Sequence, residues 1–226
     1  MRRGTLGGTA MIAGAIMGLV TMLFHPTGHA VARDPAGQGA LALAVHALAM
    51  LATPLAFYGG LALTRRLAPE SELAELALVF YGASLVATVV AATASGLLAP
   101  PLVARTLTLD ADARVASDAV LRYNGSVNQA FARILVAASS IAIGLWSLVI
   151  VRARTMRRAI GVYGCVIAAL ALLALASGHL RLDVHGFGAV VLLQAVWLVA
   201  VGGELRRAAA NRSHVEAPAA PPGVAR

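Results

Sequence analysis

Apolar residues along this chain gather into six long blocks with short polar segments between them. Each block runs for about 18–26 residues, enough to cross a hydrocarbon layer about 30 Å thick at about 1.5 Å per residue. The blocks are continuously apolar, without the alternation of polar and apolar positions that a β-barrel strand requires. The pattern predicts helices over about 7–25, 39–64, 73–98, 126–151, 159–178 and 185–204. The fold class is therefore all-α, a six-transmembrane-helix bundle that occupies residues 1–207. The tail that follows, residues 208–226, is rich in Ala and Pro and lacks helical periodicity, so disorder is expected there.

Composition and charge sharpen this picture. The chain is 59% hydrophobic and 12% charged, about half the charged share of an ordinary soluble domain. The formal net charge is +8, and all 18 basic residues are arginine. Twelve of them flank the ends of the blocks on one side: Arg2, Arg3, Arg65, Arg66, Arg152, Arg154, Arg157, Arg158, Arg206, Arg207, Arg212 and Arg226. Five, Arg33, Arg105, Arg114, Arg122 and Arg181, fall on the other side among aspartates. The positive-inside rule then places both termini in the cytoplasm, N-in and C-in, with the tail cytoplasmic. The localisation this implies is a bacterial cytoplasmic (inner) membrane, crossed several times. Expected partners are the bilayer, with anionic lipids at the cytoplasmic face, and a homo- or hetero-oligomeric neighbour. Nucleic acid is excluded, because no extended basic surface is interleaved with aromatic residues. The lone cysteine, Cys165, lies inside an apolar block, so neither an intrachain disulfide nor a Cys-based zinc motif is available.

The first block poses a choice between a retained helix and a cleaved signal peptide ending near "GHA" at 28–30. The apolar run from Leu6 to Phe24 is longer than the usual signal core of about 7–15 residues, so a retained helix is expected. Gly14, Gly18, Thr21 and His25 fall on one narrow stripe of it. Small residues on that stripe let a neighbouring helix approach closely. Pro26 then disfavours helix at His25 and starts a turn. The segment 99–125 is expected to hold a separate short surface helix, capped by Asp110 or Asp112, with Arg114, Asp118 and Arg122 as a charged ladder.

Candidate chemistry collects at the arginine-poor side. His25, His29, His46, His179 and His185 all fall on or near it. His46 lies about 10 Å into the second helix, and Arg133 lies about as deep in the fourth. An ionisable group at such depth ordinarily faces the bundle interior. The fourth helix opens "YNGSVNQAFARIL", bringing Asn128 and Gln129 together with Arg133. The ligand-binding set this predicts is His46, Asn128, Gln129 and Arg133. Neutral imidazole is a common metal ligand, which makes His25, His179, His185 and Asp183 a candidate metal set. For haem, His25 with His179 matches in depth and His25 with His46 matches poorly. Tyr81, Ser84, Thr88 and Ser95 are expected only to fasten helices together.

No nucleophile elbow, phosphate loop, dinucleotide fingerprint or HExxH motif is present, so the sequence offers no enzymatic signature. The leading function is a membrane protein with an outward-facing polar, histidine-lined site for a metal, haem or small molecule. The alternative is a non-catalytic subunit or scaffold whose polar groups only hold helices and partners. An intramembrane enzyme with a histidine-bound metal stands behind both.

Overall fold

A computed structural model describes residues 3–215, with side chains over 4–211. It is 88% helical, with no strand among the described residues. Six helical stretches are long and apolar enough to cross a membrane. The first is α1 (Arg3–Leu23), followed by a short α2 (Gly28–Arg33) and the long α3 (Gly37–Leu67). Then come α4 (Leu73–Ala92), a π-helical turn over Thr93–Leu98, and α5 (Ala99–Thr106). Next come α6 (Ala111–Ala153), α7 (Arg158–Ala176) and α8 (Val184–Val215).

Neighbours in the bundle follow the order α8, α1, α3, α4, α6, α7, and α7 returns to α8. Lipid tails are as apolar as leucine, so close packing of small residues has to hold such helices together. α1 sits between α3 and α8 on this basis. A Cβ at Gly14 would meet the Ala56 backbone at 3.0 Å, and one at Gly59 would meet Met11 at 2.5 Å. Met11 is buried in the core accordingly.

The two ends of the bundle differ. At one end Arg66 donates to the Thr155 carbonyl at 2.9 Å, and Arg157 and Arg207 both pair with Glu204 at 3.3 and 3.1 Å. Above this arginine end lies an aromatic floor. The Trp146 indole donates to Thr64 Oγ1 and to the Ala74 carbonyl at 3.2 and 3.1 Å. Tyr81 meets Trp146 edge to face, and Trp197 stacks parallel to it. The opposite end carries His25 and His46.

Three stretches differ from the sequence expectation. The third span does not stop at 98, because its helix runs on through the π turn into α5. Pro100 and Pro101 fall in the first turn of α5, where a missing N–H costs nothing. The fourth helix starts at Ala111 rather than about 126, so the expected separate surface helix is the first part of α6. Asp110 caps it, its Oδ1 accepting from Ala113 N at 2.9 Å. Arg114 reaches back to the carbonyls of Leu107 and Leu109. At 43 residues α6 is about 64 Å long and overshoots any bilayer core. Finally, α8 continues to Val215, so residues 208–215 are helical where disorder was expected, and residues 216–226 lie outside the described residues.

Candidate functional site

The histidine end is built from five parts of the chain, the turn after α1, α3, the π turn, α6 and the start of α8, each placing groups around a shared space. α1 ends at Leu23, and Pro26 turns the chain while remaining buried. His25 sits on that turn, its Nδ1 donating to the Pro26 carbonyl at 2.9 Å. A carbonyl only accepts, so Nδ1 bears the hydrogen and the neutral ring keeps Nε2 as a free acceptor. Burial lowers the His25 pKa below its ordinary value of 6.5, against an opposing hydrogen bond to Pro26.

α3 supplies His46, only 4% exposed. Its Nδ1 donates to the Ala42 carbonyl at 2.6 Å, and its Nε2 lies 2.8 Å from Ser95 Oγ. Ser95 sits in the π turn and also bonds the Ala91 carbonyl at 2.8 Å. A π turn inside an α-helix re-aims the side chains it holds. Gly96 beside it is required, since a Cβ there would fall onto the His46 side chain. Asn124 of α6 steadies the turn by donating to the Ala94 carbonyl at 2.8 Å.

The rings of His25 and His46 meet edge to face, with centroids 4.8 Å apart and planes at 68°. Thr21, one turn before His25, donates to the Val45 carbonyl at 3.1 Å and sets this register. Of the expected stripe, Gly14, Thr21 and His25 thus meet α3, whereas a Cβ at Gly18 would meet nothing within 4 Å.

These side chains open onto a cavity of about 400 Å³, which Asn128 and Gln129 of α6 and Asp183, His185 and Phe187 at the start of α8 also line. Gln129 donates to the Leu182 carbonyl at 3.1 Å, tying α6 to the turn before α8. The Asn128 side chain makes no hydrogen bond within the described residues. Asp183 caps α8 through His185 N and Gly186 N. The Gly186 bond, with Arg181 alongside, holds its carboxyl below the ordinary value. The "HPTGH" turn forms the rim, with Pro26, Thr27 and Gly28 in the cavity wall.

Of the predicted site residues, the cavity brings together His25, His46, Asn128, Gln129, Asp183 and His185. It leaves out two. Arg133 is exposed on the outside of the bundle. Asn128, Ala132 and Leu135 define the cavity face of α6, and Arg133 is rotated about 100° past Ala132. His179 is exposed and bonds Ser177 Oγ at 2.9 Å. Sequence reasoning missed Ser95 as a site residue, and its only signal was the neighbouring Gly96.

The geometry also bears on metals. Among the described residues no three His, Cys, Asp or Glu side chains form a group able to hold a metal ion. Both ring nitrogens of His46 are engaged within the chain, and its contact with His25 leaves no slot for a porphyrin between them. A haem bridging these two histidines does not fit.

No family model, no curated protein and no solved structure matches the chain. Its class rests on its own features: six apolar helices that fit a multi-pass membrane protein.

Proposed function

We propose that this is a multi-pass protein of a bacterial cytoplasmic membrane, with both termini inside, whose histidine end opens outward and binds a small organic molecule. The arginine asymmetry supports the orientation. The observation that carries the binding reading is the pairing of His25 with the buried His46 at the wall of a cavity of about 400 Å³. A cavity of that size lies within the range of small-molecule sites, about 300–1,000 Å³, and its few convergent polar groups are of the kind that orient a ligand. An organic ligand is favoured over a metal because the imidazoles spend three of their four nitrogens on partners within the chain.

Native mass spectrometry of protein released from its source membrane, with parallel metal analysis, tests this. The wild type should carry an organic adduct that is lost from His46→Ala and kept by His179→Ala. An adduct-free wild type, or an adduct indifferent to His46→Ala, would replace this reading with a scaffold whose polar groups only join helices. A stoichiometric metal would return the site to metal binding.

A further inference from the structure

Directly beneath the histidine cavity lies a second, partly open chamber of about 160 Å³, lined by α1, α3, α4, α6 and α8. The two spaces share walls: Thr21, Met22, Ala49, Thr88, Leu135 and Phe187 line both. Their chemistry differs. The upper space presents an acceptor and an amide without hydrogen-bond partners among the described residues, namely His25 Nε2 and the Asn128 side chain.

The lower chamber contains hydroxyls, but each serine and threonine there bonds a carbonyl. Thr21 donates to Met17 and Val45, Thr53 to Met50, Ser84 to Tyr81, Thr88 to Ser84 and Ser139 to Val136, at 2.7–3.3 Å. Gln194 gives its amide to Ser140 Oγ at 3.2 Å. A hydroxyl that has spent its hydrogen on its own backbone turns its carbon atoms to the space. With Ala49, Ala52, Ala56, Leu135, Val191 and Leu198 around them, the walls are effectively apolar. An apolar cavity of about 150 Å³ is large enough to hold benzene. The room is real at one identifiable point: a Cβ built on Gly18 meets nothing within 4 Å.

Building on the binding reading above, we infer that the ligand is a small neutral amphiphile. Its hydroxyl head donates to His25 Nε2, and its apolar body of about six carbons, chain or ring, fills the chamber beside Gly18. Nε2 is an acceptor in the neutral ring, so the head must bring an O–H or N–H. A second polar group at the far end of the body would give up water for the few acceptor oxygens of the lower chamber, Gln194 Oε1 among them, and that exchange costs affinity where the pairing is incomplete.

The test uses hexan-1-ol as probe on the full chain in lipid nanodiscs, with histidine ¹⁵N labels read by NMR. Probe partitioning into lipid is the same for every variant and cancels. Hexan-1-ol should saturably shift His25 Nε2, whereas hexane should leave it unmoved. Hexane-1,6-diol should bind about tenfold more weakly or worse. Gly18→Leu fills the lower chamber while suiting a helix better than glycine does. It should weaken hexan-1-ol by about tenfold or more, the loss of burying about two methylenes, with an unchanged unfolding midpoint. If Gly18→Leu and wild type bind hexan-1-ol equally, the upper cavity remains a binding site and the amphiphile inference falls. If hexan-1-ol never moves His25 in the folded wild type, the amphiphile inference falls, and the binding reading falls with it only if the wild type also carries no organic adduct.

Discussion

His46 and Ser95 meet at 2.8 Å, Nε2 to Oγ, across the interface between α3 and the π turn that follows α4. The contact joins a buried imidazole to the one irregular turn of its neighbouring span, and Gly96 gives it room. Gly96→Ala should therefore push His46 out of place and destabilise the fold by about 1–3 kcal/mol, the usual cost of overpacking. Ser95→Ala should cost only about 1 kcal/mol, because cavity water can take its place on the imidazole. Thermal unfolding in detergent measures both. Equal effects would mean that Gly96 does not seat the histidine.

The aromatic floor gives a second contrast. Trp146 donates to two acceptors, whereas the buried Trp197 Nε1 has no hydrogen-bond partner among the described residues. Trp146→Phe removes the indole hydrogen shared by Thr64 Oγ1 and the Ala74 carbonyl, leaving only the longer Thr64–Ala74 bond at 3.3 Å, and should cost about 1 kcal/mol more than Trp197→Phe. Unfolding in graded denaturing detergent compares the pair, and a larger loss from Trp197→Phe would contradict the assignment.

The pH response follows from His25. Its pKa in the fold lies below 6.5, held there by burial, so the folded protein binds that proton less tightly than the unfolded chain. Stability is then full above 6.5 and declines as pH falls below it. Facing His25 around the cavity are His46, Asp183 and His185. Asp183 has its pKa below the ordinary 3.8, so its contribution is lost only at still lower pH. Unfolding midpoints should be lower at about pH 5 than at about pH 7, and His25→Ala should flatten that difference. An unchanged slope in the variant would show that His25 is not its source.

Much of this architecture was legible in the chain. Continuous apolar blocks announced six spans, and three of the four stripe residues, Gly14, Thr21 and His25, announced the face of α1 that meets α3, while Gly18 faces open space. The pairing of His25 with His46 was not legible from depth counting. Helical side chains lean toward the helix N-terminus, and α3 enters from the histidine end, so the His46 ring rises to the level of Ala42 and meets His25. Periodicity put Ser95 on one side with Thr88, and both do line the cavity; what periodicity could not show was its contact with His46, which the π turn brings about. Arg133 misled for a related reason. The i, i+4 pairing with Gln129 put it on a polar stripe, but Gln129 stands at the edge of the cavity face, and Arg133 falls beyond it.

Orientation is a separate prediction. Reporter fusions at Asp34, Asp112 and Asp183 should all read as extracytoplasmic, given the twelve-to-five division of arginines. A cytoplasmic reading at any one of them would overturn the proposed orientation.

The central claim is that the histidine end opens outward into the bundle. Ala49 lies one turn below His46 and lines both chambers, so it reports on that opening most directly. Ala49→Cys, in a Cys165→Ser background, should react with a membrane-impermeant thiosulfonate added to the outside of intact cells. Hexan-1-ol should slow that reaction. If Ala49→Cys stays unmodified while Thr27→Cys at the rim reacts readily, the cavity is closed to the outside and the account is contradicted.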